Sequence, residues 1–228
     1  MERLGYLLRS RVSITKCLDT AGESLLHRVL GHVSEKRIKA LADDQEVGIK
    51  VIKQHELDCS ACPPGKGKRS SHLLSTAESM TVPGERVHVD LVGPMPLASI
   101  NNSRYFLLCK DEYSTYTYVY FLKSKGETDI ALAKLICEYE VDKKNRIRGI
   151  QSDKATEFNN TKVETLFDIE HIAHETTSVR APQQNGLIEW EVQNIGNMAR
   201  TSLLASDLPP ELWEQAIETA CYLRNRTE

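Results

Sequence analysis

Residues 86–122 read RVHVDLVGPMPLASINNSRYFLLCKDEYSTYTYVYFL, and this stretch decides the fold. Apolar and polar side chains alternate over residues 86–91, which predicts a strand. Residues 104–110 and 116–122 are rich in aromatic and β-branched side chains and predict two more strands. The stretch therefore predicts three consecutive strands of one sheet.

Helices and strands alternate after this stretch. Residues 127–141 have the apolar spacing of a helix with one buried face, formed by Leu132, Leu135, Ile136 and Tyr139. The remaining predicted elements are a strand over 147–151, a helix over 162–168, a strand over 171–175, a helix over 186–204 and a helix after Pro209-Pro210. Together they predict an α/β fold with a mixed five-stranded sheet flanked by helices.

The composition is that of an ordinary globular protein, with 40% hydrophobic and 27% charged residues. No run of about 18 apolar residues occurs, so neither a membrane-spanning helix nor a membrane partner is expected. The apolar patch Tyr6-Leu7-Leu8 is too short for a secretion signal. We therefore expect an intracellular protein whose six cysteines are thiols or metal ligands rather than disulfides.

Charge is distributed unevenly along the chain. Residues 1–72 hold 13 basic and 9 acidic side chains, a net charge of +4. Residues 73–228 hold 16 basic and 23 acidic side chains, a net charge of −7. The basic first third fits a nucleic-acid partner, whereas the acidic remainder is not typical of a surface that binds phosphates.

Four segments are predicted along the chain. Residues 1–20 form a leader, 21–72 a small metal-binding domain, 73–84 a linker and 85–228 one larger domain. The cluster Pro63-Pro64-Gly65-Lys66-Gly67 can continue neither a helix nor a central strand, so it indicates a loop at the end of the small domain.

A set of metal-ligand residue types occurs in the small domain. His27 and His32 are separated by four residues on a predicted helix, and Cys59 and Cys62 form a C-x-x-C pair. Two imidazoles and two thiolates suit tetrahedral zinc. The histidines converge if the helix ends or bends between them, which Gly31 permits. Zinc would then close a small helical hairpin and supply much of its folding free energy.

The remaining cysteines have no second ligand type nearby in the sequence. We predict that they are plain buried thiols. They are Cys17, Cys109, Cys137 and Cys221.

Three acids form a second candidate site, in the larger domain. Asp90 lies inside an apolar strand, where a carboxylate is costly without a partner or a function. Asp153 follows the strand over 147–151, and Glu189 lies in the first turns of the helix that begins near Gly186. If the fold brings them together, they can bind two Mg²⁺ or Mn²⁺ ions that support an in-line phosphoryl displacement. Taken singly, Asp153 also fits a turn residue and Glu189 an ordinary surface acid.

Motifs over residues 22–227 resemble the integrase of copia-type retrotransposons. His27-Arg28-Val29-Leu30-Gly31-His32 with Cys59-Ser60-Ala61-Cys62 is similar to the family's zinc motif. Val89-Asp90-Leu91-Val92-Gly93-Pro94 and Ser152-Asp153 with Glu157-Phe158 are similar to its first two catalytic motifs. Pro182-Gln183-Gln184-Asn185-Gly186 leads to a third acid, here Glu189.

The resemblance implies a fold, an activity and a set of roles. It implies a ribonuclease-H-like core that carries out 3′-processing of element DNA ends and strand transfer into target DNA, as a homo-oligomer. Asp90, Asp153 and Glu189 would be the catalytic acids that bind Mg²⁺ or Mn²⁺, and His27, His32, Cys59 and Cys62 the ligands of a structural zinc. The protein would be nuclear when it acts on host DNA and otherwise cytoplasmic.

Two departures from the family pattern bear on activity. The family has Asn-Gly-Gly after the second acid, where this chain has Lys154-Ala155-Thr156, residues that resist backbone shapes open to glycine. Its helix after the third acid is rich in basic residues, three of which are here Trp190, Glu191 and Gln193. Because phosphate contacts dominate nucleic-acid affinity, we expect this helix to hold DNA poorly. A drifting genomic copy or a host-recruited descendant would show these changes.

Two other functions remain open at this point. One is an inactive nucleic-acid-binding or interaction module derived from an integrase. The other is a ribonuclease-H-like nuclease without joining activity, which would not need the zinc module.

Overall fold

The computed structural model describes residues 27–34, 36–38, 40, 59–62, 80–143, 145–153, 155–176 and 186–227. The predicted leader, the loop 181–185 and most of the predicted hairpin and linker lie outside these ranges. Contacts divide the chain into two compact units. We call them the His/Cys unit (Met1–Lys68, Ile195–Pro209 and Gln215–Glu228) and the sheet unit (Arg69–Asn194 and Pro210–Glu214).

Within its described residues, the sheet unit contains five strands and two complete α-helices. The strands are β1 (Val87–Val92), β2 (Tyr105–Asp111), β3 (Thr117–Leu122), β4 (Gly149–Ser152) and β5 (Ala173–Thr176). The helices are α1 (Thr128–Lys143), between β3 and β4, and α2 (Thr161–Glu170), between β4 and β5. Every predicted element in this unit is present, and its ends differ from the prediction by only a few residues.

The five strands form one mixed sheet with the order β3-β2-β1-β4-β5. The pairs β1–β2 and β2–β3 are antiparallel, whereas β1–β4 and β4–β5 are parallel. Helix α1 leads from β3 to β4, and α2 leads from β4 to β5. The predicted mixed five-stranded sheet flanked by helices is confirmed.

One face of the sheet packs against α1 and α2. Val87 and Val89 of β1 point to this face, and the predicted face of α1 (Leu132, Leu135, Ile136 and Tyr139) is buried against it. Because side chains alternate along a strand, His88 and Asp90 point to the opposite face. This second face carries the functional side chains discussed below.

Two long helices contribute to both units. They are α3 (Gly186–Ala205) and α4 (Trp213–Thr227), and a short 3₁₀ turn, Pro210–Leu212, precedes α4. Their segments 195–205 and 215–227 belong to the His/Cys unit. Part of the predicted larger domain therefore contacts the N-terminal residues, and the predicted domain boundaries stay a prediction.

One cysteine departs from its predicted environment. Cys109 and Cys221 are buried as predicted, but Cys137 is exposed, and Cys17 lies outside the described residues. Cys137 follows Ile136 on α1, and one residue along a helix rotates a side chain by about 100° away from the buried face. Of the helices in the described ranges, none is both long and apolar enough to cross a bilayer.

Candidate functional site: a His/Cys group and a carboxylate site

The two predicted histidine ligands meet because the chain turns between them. The Gly31 N–H donates to the Arg28 carbonyl at 3.1 Å, and the His32 N–H donates to the His27 carbonyl at 2.6 Å. These two bonds, with Gly31 at φ +74°, are the pattern that ends a helix in a left-handed residue. The predicted bend at Gly31 is present, and it brings imidazoles five residues apart to one point.

The four predicted zinc ligands lie together, with all ligand atoms within 4.8 Å of one another. His27 Nε2 lies 3.1 Å from His32 Nδ1 and 3.2 Å from Cys62 Sγ. Cys59 Sγ lies 3.3 Å from His32 Nδ1. Tetrahedral zinc with bonds of about 2.0–2.3 Å implies ligand separations of about 3.3–3.8 Å. The three distances above lie at or just below the lower end of this range, and the donor types suit the ion.

A hydrogen bond fixes which nitrogen of His27 faces the group. His27 Nδ1 lies 2.8 Å from the Val33 carbonyl, so it carries the proton and donates there. The Nε2 atom is then unprotonated and available as a ligand, which is the usual arrangement of a histidine that binds a metal.

The His/Cys group is packed against the ends of the two long helices. A Cβ atom added at Gly31 would lie 2.8 Å from Met198 Cε of α3 and 3.0 Å from Leu223 Cδ1 of α4. Arg37 donates from Nε to the carbonyl of Thr227, the last residue of α4. The metal-ligand segment and these helix ends therefore share one core.

Strand register places two of the three predicted catalytic acids side by side. In the parallel pair β1–β4, His88 is opposite Gln151. Asp90 lies two residues after His88, and Asp153 lies two residues after Gln151. Both carboxylates therefore lie where β4 ends. Glu189 lies on the first turn of α3.

The charges of two of the predicted acids act on the third. Burial raises the pKa of Asp90 to about 6, and the negative charges of Asp153 and Glu189 contribute to the increase. Asp153 and Glu189, from distant parts of the chain, thus lie close enough to Asp90 for their charges to act on it. Among the residues that the structure describes, their oxygens do not form as tight a group as the four His and Cys ligand atoms.

The turn after Asp153 does not need the glycines that the family has there. Within the described chain, neither Ala155 nor Thr156 has a positive φ, so the expected conflict with their side chains is absent; Lys154 lies outside the described residues. The Ala155 N–H donates to Asp153 Oδ1 at 3.1 Å, and Phe158 anchors the turn in the core. The second acid is therefore held by its own loop.

A serine and a histidine support Asp153 from the sheet side. The Ser152 hydroxyl donates to the Asp153 carbonyl at 2.9 Å and lies 2.8 Å from His174 Nε2. Burial lowers the pKa of His174, which favours its neutral form. These contacts tie the end of β4 to β5.

A charged pair beside the site was not predicted from the sequence. Lys125 Nζ lies 3.1 Å from Glu157 Oε1. Burial acts to raise the pKa of Glu157, but a backbone N–H and the Lys125 ammonium hold it below its usual range. The Glu157 charge also contributes to the raised pKa of Asp90. The sequence signal for Glu157 was its place in the motif around Asp153, whereas Lys125 had none.

A buried ion pair changes the interpretation of Glu191, one of the residues that depart from the family pattern. Glu191, treated above as a lost basic residue on a DNA-facing helix, is fully buried. Its Oε2 lies 2.5 Å from Nζ of Lys110, which is also buried. The expected loss of a DNA contact at position 191 is therefore wrong, because this side chain faces the sheet, while Trp190 and Gln193 remain exposed.

The raised pKa of Asp90 predicts a pH-dependent stability difference. Because this pKa is about 6 in the folded protein and 3.8 ordinarily, the folded protein holds the proton more tightly than the unfolded chain. The stability that the proton contributes is complete below pH 3.8 and is lost as the pH rises through about 6. The Asp90→Asn variant has no carboxyl group to ionise at this position. Its free energy of unfolding, relative to that of the parent, should therefore rise by on the order of 2 kcal/mol between pH 4 and pH 7.

Urea unfolding of both proteins without added divalent cations measures this difference. Asp168→Asn, at an exposed position on α2, is the matched control and should track the parent. A stability difference between Asp90→Asn and the parent that is constant with pH would contradict the raised pKa of Asp90.

The chain is similar to segments of transposon polyproteins. It is 29% identical over 212 residues to a retrovirus-related Pol polyprotein from transposon TNT 1-94 of Nicotiana tabacum, covering 92% of this chain and 16% of that protein. Polyproteins from transposons RE2 and RE1 of Arabidopsis thaliana are 29% identical over 206 residues and 30% over 209, each covering 90% of this chain and 14% of the relative. The chain thus spans about a sixth to a seventh of their length. No family model matches it.

Among solved structures, the HTLV-2 integrase catalytic core domain in complex with magnesium, in a trimeric form, matches with a TM-score of 0.47 and 19% identity. The match covers 62% of this chain and 84% of that one.

Proposed function

We propose that this chain, which belongs to the copia-type retrotransposon integrases, is a metal-dependent polynucleotidyl transferase that processes and joins DNA ends. One observation carries the proposal. Asp90 lies on β1, Asp153 just after β4 and Glu189 at the start of α3, and the charges of Asp153 and Glu189 act on Asp90. Placing negative charges near one another costs electrostatic free energy, and such a cost is typical of a site that binds divalent cations.

The acids present suit two Mg²⁺ or Mn²⁺ ions. Carboxylate oxygens are the ligands that these ions prefer, and bound cations would offset the repulsion that raises the pKa of Asp90. When bound, two such ions supply activation of the attacking oxygen and stabilisation of the leaving oxygen in an in-line displacement at phosphorus. Asp90, Asp153 and Glu189 would hold them.

The neighbouring residues would keep this site in shape. The Asp153 carboxylate accepts a hydrogen bond from the Ala155 N–H, and its carbonyl accepts one from Ser152. Lys125, exposed beside Glu157, offers a positive charge at the rim of an otherwise acidic site. In the proposed reactions, water or a DNA 3′-hydroxyl attacks a phosphodiester, a new P–O bond forms, and the former P–O bond breaks to release a 3′-hydroxyl.

The His/Cys group would bind a structural zinc in the same protein. His27, His32, Cys59 and Cys62 have the donor types, the spacing and the His27 proton position that zinc requires. DNA of the element ends and of the target would be the partners, and joining both ends of an element would require a homo-oligomer.

A strand-transfer assay tests the proposal. Short duplex DNA ends, a target duplex and Mn²⁺ should give joined products with the parent chain. Asp90→Asn should reduce them to background, and Asp168→Asn should leave them unchanged. An absence of product from the parent, or equal product from Asp90→Asn, would exclude this function.

An integrase-derived binding module without catalysis is the second candidate. The exposed positions 190 and 193 carry Trp190 and Gln193 instead of basic residues, which favours weak phosphate binding. Duplex affinity measured against salt, together with the strand-transfer assay, distinguishes the two candidates: the module would bind DNA but form no joined product, whether or not Mn²⁺ is present.

A further inference from the structure

Trp190 is an exposed aromatic side chain that follows Glu189, one of the three proposed metal-binding acids, in the chain. It follows Glu189 on the first turn of α3, and 53% of its surface is exposed. The chain has only two tryptophans, and the other, Trp213, is buried. An isolated exposed apolar residue is common and by itself indicates nothing. Two features distinguish Trp190: its contact with the buried Lys110 ammonium, and its position directly after Glu189 in the chain.

The indole ring of Trp190 packs against the ammonium of the buried Lys110–Glu191 ion pair. Lys110 Nζ lies over the Trp190 ring, 5.9 Å from its centroid, within the range of a cation–π interaction. The same ammonium contacts Glu191, the next residue of α3. The Lys110 ammonium thus contacts one side of the ring and also the side chain of Glu191, the residue after Trp190. The exposed half of the Trp190 side chain can contact a second flat group.

The surrounding charge indicates which flat group this is. Asp90, Asp153 and Glu189 repel phosphates when no cation is bound, so the protein needs an attraction to DNA that does not depend on phosphate charge. Stacking of a base on an indole is such an attraction. Bases inside a duplex have both faces covered by their neighbours, whereas an unpaired base at a strand end has an open face.

We propose that Trp190 stacks on an unpaired base at the end of the DNA strand whose phosphodiester lies at the Asp90–Asp153–Glu189 site. This inference rests on the proposed function and adds a preference to it, for open and frayed DNA ends over closed duplex. On this view Trp190 replaces a phosphate contact by a base contact, and is not simply a lost basic residue.

Binding assays test the inference separately from catalysis. The probe is a labelled DNA duplex with a two-base overhang, and its control is the same duplex with both ends closed by base-free linkers. Fluorescence anisotropy without Mn²⁺ should show tighter binding of the open duplex by the parent. Trp190→Ala should weaken that binding about ten-fold, the effect of losing one stacked base. Trp190→Phe, which keeps an aromatic ring, should retain most of it.

Intrinsic fluorescence gives a second measurement. In a Trp213→Phe chain, Trp190 is the remaining tryptophan, and the open duplex should quench it more than the closed one does. In Trp190→Phe, the buried Trp213, whose Nε1 donates to the Leu97 carbonyl, should not respond. If Trp213→Phe fails to fold, the anisotropy series decides alone.

The outcomes separate the two proposals. Equal binding of both duplexes by the parent and Trp190→Ala would overturn the stacking role and leave the proposed function standing. An absence of DNA binding by the parent would contradict both. Self-association that Trp190→Ala abolishes, with DNA affinity unchanged, would show that the ring is a protein contact and would also overturn the inference. Unchanged urea midpoints verify that each variant is folded.

Discussion

Cys62→Ser should lose its zinc and unfold the His/Cys unit, including the ends of α3 and α4. Structural zinc contributes about 10–16 kcal/mol to the folding of small metal-binding domains. Gly31 packs against Met198 and Leu223, and Arg37 bonds to the last residue of α4. When the ligand turn loses its metal, these contacts should be lost with it.

Two measurements check this expectation. Metal analysis should find one zinc per parent chain and none in Cys62→Ser. Hydrogen exchange should then rise in residues 27–40 and also in 195–205 and 215–227, while β1 and β2 keep their protection. Cys137→Ser, at the exposed cysteine of α1, is the matched control and should keep both zinc and protection.

The set of residues whose hydrogen exchange rises in Cys62→Ser decides between two descriptions of the His/Cys unit. If exchange rises only in residues 27–40, the zinc segment folds alone and the helix ends belong to the sheet. A Cys62→Ser chain that keeps its zinc would instead remove this cysteine from the ligand set.

The sheet could be predicted from local patterns because each element carries its own signal. Alternation identified β1, and the spacing of Leu132, Leu135, Ile136 and Tyr139 identified α1. Both depend on a buried face formed by residues near one another in sequence. The packing of α3 and α4 ends with Gly31 has no such signal, because the partners lie far apart in the chain.

The two sites differ in what the sequence revealed. The His/Cys ligands and the three acids could be proposed because their residue types are unusual in their places: Asp90 in an apolar strand, for example. Glu191 was misplaced because likeness to the family outweighed its spacing from Ile188 and Ile195. Those two residues are buried on the same face of α3, three residues before it and four after it, so helical periodicity would have placed it inside.

The burial of Glu191 leads to the second large expected effect. Lys110→Met should destabilise the sheet unit by about 3–5 kcal/mol, because it leaves a fully buried carboxylate without the ammonium that faces it. The pair joins β2 to α3 two residues after Glu189, so the same change should loosen the start of α3. Strand transfer should then fall even at temperatures where the variant stays folded.

A double-mutant cycle isolates the pair from the burial of either side chain. Lys110→Met with Glu191→Leu replaces two buried charges by two apolar groups of similar size, which is often neutral or stabilising. Urea unfolding of the four proteins should therefore show a loss in each single variant and recovery in the double one, with a coupling energy above about 1 kcal/mol. Single losses that simply add would mean that Lys110 and Glu191 do not stabilise each other. Full recovery of stability without recovery of strand transfer would show that the charges position the start of α3, and with it Glu189, in a way that apolar packing does not.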